Sequence, residues 1–220
     1  MINLNNFEKF VREKMVLKKN VFKPNLTSKL CFEVAKKNIH NKSKVLDLGC
    51  GSGIIGVLIK KDLKNIELFC SDNHLSSVNL TKKNLKKNNL SAVVKKGNLL
   101  DPWRGEKFDY IIDDVSAISS TVAFKSKWFS NNIPLESGED GTNLSIKIIE
   151  NAKNFLNKNG ILQIPILSLS DTEKIAKVIK KNFKKSKIVK SEKWFLPNEM
   201  LRYKTLLKKL KDKKKVNFEE

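Results

Sequence analysis

The chain has 220 residues, 40% of them hydrophobic, with three tryptophans, which suits one packed core and not a disordered chain. Its formal charge is +21, from 44 Lys and Arg against 23 Asp and Glu, a balance that turns attention to anionic partners. No apolar run reaches the roughly 18 residues of a membrane span, and Cys31, Cys50 and Cys70 are too widely spaced for a chelating pair or a disulfide framework.

In chain order, residues 1–43 read as a helical lead-in. The stretch "NLTSKLCFEVAKKNI" places Leu26, Leu30, Val34 and Ala35 on one helical face, with Thr27 or Asn25 as its cap. "KVLDL" (44–48) is a short apolar strand ending in glycines, and "GIIGVLIKKDL" (53–63) is a helix. A second strand, 65–72, leads into a helix over 74–90. A third strand covers 92–98 and a fourth 107–114. The segment 115–142 is polar and contains glycine. A helix is expected over 143–160, stopped by Gly160, then a fifth strand over 161–169 and a helix over 171–183. The stretches 186–195 and 200–210, joined by "LPNEM", read as two further strands in a hairpin. Strands alternating with helices give an α/β fold: a doubly wound, mostly parallel, seven-stranded Rossmann-like sheet with an antiparallel terminal hairpin. The expected domain spans 44–207, followed by a basic charged tail at 208–220. The first residues, "MINLNNFEKFVREK", lack an apolar signal core, so a cytoplasmic protein is expected.

Two readings of the charge stand side by side. It marks an anionic partner, RNA, a ribosome or a membrane surface, or it reflects composition. Nearly all the cations are Lys, the arginines being Arg12, Arg104 and Arg202, whereas nucleic-acid sites favour the planar guanidinium.

The turn between the first strand and its helix carries Gly49, Gly51, Gly53 and Gly56. Side chains there would block a ligand from the backbone and the helix N-terminus. Asp72, roughly 20 residues on and at the end of the second strand, is placed to grip a ribose, as in a dinucleotide site. Asp47 argues for a different ligand. A carboxylate beside the turn repels a pyrophosphate and attracts a sulfonium cofactor carrying a free amino group. Gly56 has a second reading, as a close-packing position.

Asp47-Leu48-Gly49-Cys50-Gly51-Ser52-Gly53 resembles motif I of the class I S-adenosylmethionine-dependent methyltransferases, and the likeness extends over residues 24–207. It implies that Gly49, Cys50, Gly51 and Gly53 line the cofactor, that Asp47 orients its amino end, and that Asp72 accepts from both ribose hydroxyls. It further implies that Asn73 reaches the ribose or adenine, that Asn98 replaces an acid on the adenine amino group, and that Leu99 covers the adenine face. Asp101 is either a substitute acid or a turn cap. The segments 21–30 and 136–162 are similar to those of the release-factor glutamine and small-domain ribosomal RNA methyltransferases. Those enzymes end the fourth strand in Asn-Pro-Pro-Tyr; here Asp114-Val115-Ser116-Ala117 stands instead. Without the prolines and the aromatic, amide or base specificity does not carry over. Asp113 and Asp114 point to opposite faces of a strand, so that one is read as structural and the other as holding a substrate group or acting as a general base. Asp114 is taken as the candidate catalytic residue, which of the two has which role stays open, and capping is the other reading for both.

The segment 115–142 places Trp128 and Phe129 beside Lys125 and Lys127, suited to base stacking, to a lid or to packing on the sheet, while Glu136, Glu139 and Asp140 add acidity. His40 and His74 are isolated, so no metal is expected. The expected function is methyl transfer from S-adenosylmethionine to RNA or a translation-related protein, with a small-molecule acceptor also open and no membrane partner. The alternative is a catalytically inactive methyltransferase-like fold that binds RNA or protein.

Overall fold

The structure is a computed structural model that describes residues 4–126, 136–196 and 198–218. The opening helix α1 (Leu4–Lys14) precedes α2 (Leu26–Asn38), which starts where Asn25 accepts hydrogen bonds from Thr27 N at 2.9 Å and Ser28 N at 3.1 Å. Asn25 is therefore the cap. The face of α2 that is buried consists of Ser28, Cys31, Phe32 and Ala35. Of the expected stripe only Ala35 is on it, and Leu26 is exposed. The helix is turned because Ser28 takes a polar place in the interior, described below.

The central alternation follows: β1 (Lys44–Leu48), α3 (Ile54–Asp62), β2 (Glu67–Asp72), α4 (Leu75–Lys87), β3 (Val93–Lys96) and β4 (Phe108–Asp113). Then come α5 (Ser120–Lys125), α6 (Asn143–Asn151), β5 (Leu156–Gln163), α7 (Thr172–Asn182), α8 (Asn198–Leu201) and α9 (Lys204–Asp212). The five strands form one parallel sheet in the order β3-β2-β1-β4-β5. Val45 and Leu46 of β1 lie between Leu68 and Phe69 of β2 and Tyr110 and Ile111 of β4, and all but Phe69 are nearly sealed from solvent. A sheet this enclosed explains why β1 and β4 read as continuous apolar runs. The chain winds outward from β1 to β3, returns to β4, and so places its switch point between β1 and β4.

The expected seven strands and terminal hairpin are corrected to five parallel strands without a hairpin among the described residues. In 186–195 the apolar residues come as adjacent pairs, Ile188-Val189 and Trp194-Phe195, so a strand would show one to each face; the stretch has no regular secondary structure. In 200–210 the apolar residues Met200, Tyr203, Leu206, Leu207 and Leu210 recur at helical spacing among lysines, and they form α8 and α9.

The expected 143–160 helix stops at Asn151, passes through a 3-10 turn over Ala152–Phe155 and becomes β5 at Leu156. Its asparagines are weak helix formers. Gly160 lies within β5, where a Cβ would stand 2.8 Å from the Phe108 carbonyl of β4; it permits close approach and does not stop a helix. β5 ends at Gln163 because Pro165 has no N–H for a ladder.

Two compact units divide the chain. The first comprises Met1–Val115 with Asn151–Ile164, and the second Ser116–Glu150 with Pro165–Glu220. The second has its own small core of Ile118, Val122, Ala123, Leu169, Met200, Leu207, Leu210 and Val216. Asp140 is tied there to Lys174 at 2.7 Å and to the Thr142 hydroxyl at 2.8 Å.

Candidate functional site

Every residue of the candidate site belongs to the first unit. The site lies at the carboxyl ends of β2, β1 and β4, beside the switch point. Gly49, Gly51 and Gly53 all have positive φ, at 74°, 52° and 76°, so the turn needs a conformation that L side chains avoid. The Ser71 carbonyl, at the end of β2, accepts from Gly49 N at 2.9 Å and Cys50 N at 3.0 Å. Gly53 opens α3 as its N-cap. A Cβ on Gly49 would stand 2.7 Å from Val115 and one on Gly53 2.8 Å from Thr81, whereas Gly51 has only its neighbour's carbonyl, at 4.0 Å. The open side of the turn is thus at Gly51.

Asp72 stands over that open side. Its Oδ2 accepts from Gly51 N at 2.9 Å and its Oδ1 from His74 N at 2.8 Å. The carboxylate is half-buried, and two backbone N–H groups fix its plane while lone pairs on both oxygens remain for a ligand. Fixing β2 to the head of α4 and facing a ligand are therefore compatible roles. Asn73 is exposed. The β3 exit is drawn beside Asp72, since Gly97 N donates to the Asp72 carbonyl at 3.1 Å. Asn98 next to it is exposed, and Leu99 is half-buried with φ at 44°. Asp101 is the first residue of the 3-10 turn Asp101–Trp103, whose cap position is Leu100 without a side-chain capping bond, and it pairs with Arg104 at 3.2 Å on the surface. Gly56 is the close-packing glycine: its Cβ would meet Asp47 Oδ2 at 3.0 Å and Cys70 Sγ at 3.2 Å.

Three carboxyls gather at the ends of β1 and β4. Asp47 is 1% exposed; its Oδ2 accepts from Gly56 N at 2.9 Å, while its buried Oδ1 has no hydrogen-bond partner. Burial pushes its pKa up to about 7, against the pull of the Gly56 hydrogen bond. Asp113, also 1% exposed, accepts from Val115 N at 2.9 Å, and burial raises it to about 7 as well. Asp114 is partly buried, and its Oδ2 accepts from the Ser28 hydroxyl at 3.1 Å. Its pKa rises well above the carboxylate range through desolvation first and then the nearby Asp47 charge. None of the three has a lysine or arginine partner among the described residues. In a chain of charge +21, this is a buried acidic cluster without a paired cation among the described residues.

Three side chains that hold the site escape sequence reasoning. Thr81 donates to the Gly51 carbonyl at 3.1 Å and sits 3.3 Å from Cys50 Sγ. Asn84 Nδ2 reaches the Ser52 carbonyl at 2.8 Å and the Val16 carbonyl at 3.0 Å, while its Oδ1 accepts from Val16 N at 2.6 Å. Ser28 holds Asp114. All three are polar residues at buried helix positions, which an apolar periodicity assigns to solvent. Lys127, Trp128 and Phe129 lie outside the described residues. No cluster of three metal-ligating side chains occurs among the described residues, and none of their helices is long and apolar enough to cross a membrane.

Comparison with known proteins bears on this geometry. Residues 15–114 match the family model of the methyltransferase small domain. Release factor glutamine methyltransferase of Clostridium botulinum is 32% identical over 160 residues, covering 68% of this chain and 56% of the relative. Ribosomal RNA small subunit methyltransferase C of Haemophilus influenzae is 34% identical over 124 residues, covering 56% of this chain and 32% of the relative. The chain thus spans between a third and just over half of the length of these relatives. Among solved structures, ribosomal protein L11 methylase from Lactobacillus delbrueckii subsp. bulgaricus has a TM-score of 0.57 at 19% identity, covering 76% of this chain and 73% of that one. A 16S rRNA methyltransferase from T. thermophilus, in complex with AdoMet and guanosine, has a TM-score of 0.52 at 17% identity, covering 74% of this chain and 39% of that one. The likeness to these structures is one of fold. Residues 15–114 thus match the methyltransferase small-domain model, and the chain shares the Rossmann-like α/β fold of these methyltransferase structures.

Proposed function

We propose that the chain transfers a methyl group from S-adenosylmethionine to a nitrogen or oxygen nucleophile on RNA or on a protein of the translation apparatus. The observation that carries this reading is the cluster of carboxyls without paired cations. Asp47 keeps a buried oxygen without a donor beside a turn that is open at Gly51. A ligand with an ammonium group at that end meets the unanswered carboxyls; a pyrophosphate is repelled by them. Asp72 is set to take the ribose, where hydrogen bonds to a carboxylate are of the stronger, charge-assisted kind.

When bound, the cofactor supplies a methyl group activated on a sulfonium. The protein binds and aligns. Gly51 and Asp72 fix the sugar end, Asn98 and Leu99 flank the base, and Asp47 holds the amino end. Asp114 faces the acceptor: its Oδ2 is held by Ser28, leaving Oδ1 to accept a hydrogen bond from the acceptor N–H or O–H. Its raised pKa would suit it to take that proton from the acceptor, the methyl–sulfonium bond being the one broken and S-adenosylhomocysteine the leaving group. Positioning accounts for most of the rate in such a scheme. The names of the relatives, which include a ribosomal RNA methyltransferase and a release factor methyltransferase, support an acceptor of the translation apparatus.

The test supplies methyl-labelled cofactor together with ribosomal subunits, total RNA and a release-factor preparation. Label should enter one of these fractions, and Asp114→Ala should abolish transfer while still binding cofactor. Label found only in small molecules would overturn the macromolecular acceptor. Failure of both transfer and cofactor binding would leave a binding module without methyltransferase activity.

A further inference from the structure

The second unit leaves its exposed aromatic rings among cations. Phe124 on α5 is 77% exposed, and Lys125 Nζ lies 5.6 Å from its ring centroid. The same Nζ is 5.9 Å from the ring of Tyr203, and the Arg202 guanidinium is 5.7 Å from that ring. A second group lies in the stretch 184–196 between α7 and α8. It has no regular secondary structure, and every residue from Lys184 to Phe195 is exposed. Lys184, Lys185, Lys187, Lys190 and Lys193 stand there against Glu192 alone, which pairs with Lys190 at 3.1 Å. Trp194 is 41% exposed and Phe195 fully so.

The two groups share one support. Leu196, next to Phe195, and Tyr203 both pack against the core that contains Ile118, Ala123, Met200 and Leu207. Ala123 precedes Phe124 in α5. At each site the chain turns an apolar residue inward and keeps the neighbouring aromatic in water. Large rings left in solvent mark a binding surface when they gather; here Lys125 and Arg202 lie over the rings of the first group, and lysines neighbour those of the second in sequence. A purely apolar partner would leave those lysines to be desolvated without compensation. An acidic peptide answers the charge and offers no planar face to separated rings. Single-stranded nucleic acid answers both, because every base has a face to stack and every nucleotide carries a phosphate. Paired RNA hides its base faces and is read by shape.

We propose that the second unit binds single-stranded RNA, with Phe124 and Phe195 stacking on bases and the surrounding lysines meeting phosphates. This deepens the functional reading by choosing RNA over protein as the acceptor class, and rests on that reading for this link alone.

The experiment follows the fluorescence anisotropy of a fluorescein-labelled oligouridylate on titration with the full chain, across a range of salt concentrations. The double variant Phe124→Ala/Phe195→Ala changes no charge. It should weaken binding at least tenfold with the slope of log affinity against log salt unchanged. Lys185→Ala/Lys187→Ala should instead make that slope shallower. Equal binding by the wild type and the double alanine variant would overturn the proposal, since attraction to the net charge would then suffice. A polyglutamate competitor that binds more tightly than the RNA would overturn it too. Urea midpoints check that both variants fold. S-adenosylhomocysteine titration, which reads the first unit, keeps the two readings apart: RNA binding without cofactor binding sinks methyl transfer and leaves this surface standing.

Discussion

Replacing Asp47 by asparagine keeps the shape of the buried side chain, retains an acceptor for Gly56 N and removes the titration. In the native state burial holds the Asp47 carboxyl at a pKa of about 7, against about 3.9 in an unfolded chain. Between these values the native protein binds the proton and the unfolded chain does not, so stability falls as pH rises through this window. The linkage amounts to about 2–3 kcal/mol between pH 5 and pH 8. Urea unfolding of both proteins across that range gives the wild-type-minus-variant difference. It should grow more unfavourable to the wild type by that amount as the pH rises, while any constant cost of the buried amide shifts the curve without tilting it. Relief of the neighbouring Asp114 in the variant acts in the same direction. A cofactor ammonium answers the charge, so wild-type affinity for S-adenosylmethionine should fall about 20-fold from pH 7.5 to pH 5.5, where the proton must first leave. The variant should bind more weakly with little pH dependence. A stability difference flat to within about 0.5 kcal/mol would refute the buried, unanswered carboxyl.

Three further outcomes follow from the geometry. Gly53→Ala forces a Cβ to 2.8 Å from Thr81 at a φ of 76°, which should cost about 2–4 kcal/mol in urea unfolding. Asn84→Leu strips hydrogen bonds from Val16 N, Val16 O and Ser52 O; it should destabilise by about 3 kcal/mol or more and weaken cofactor binding through the loosened turn. Asp114→Asn should leave cofactor affinity within about twofold and lower the rate of methyl transfer by about 100-fold or more, read in the labelled-methyl assay; unchanged transfer would assign Asp114 a structural role with Ser28.

The central strands were legible because burial on both faces leaves continuous apolar runs: 44–48 was read residue for residue, and β2 to β4 to within a residue or two. The turn was legible because its glycines and Asp72 are determined by backbone conformation and charge. The end of the chain was not. Its apolar residues do recur at helical spacing, but the short runs between lysines read as a strand, and the packing of Leu207 and Leu210 fixes α9. The polar braces Ser28, Thr81 and Asn84 were illegible for a different reason. A buried hydroxyl or amide has the same hydropathy as an exposed one, and its value lies in a partner far away in sequence.

The measurement that tests the account most directly is calorimetric titration of the wild type and Asp72→Ala with S-adenosylmethionine and S-adenosylhomocysteine. The account predicts that the wild type binds both ligands in the micromolar range. Asp72→Ala, which loses the acceptor for the ribose and the brace on Gly51 N, should bind neither measurably. A folded wild-type protein that binds neither ligand, or an Asp72→Ala variant that binds as tightly as the wild type, would contradict the assignment of this turn as the cofactor site.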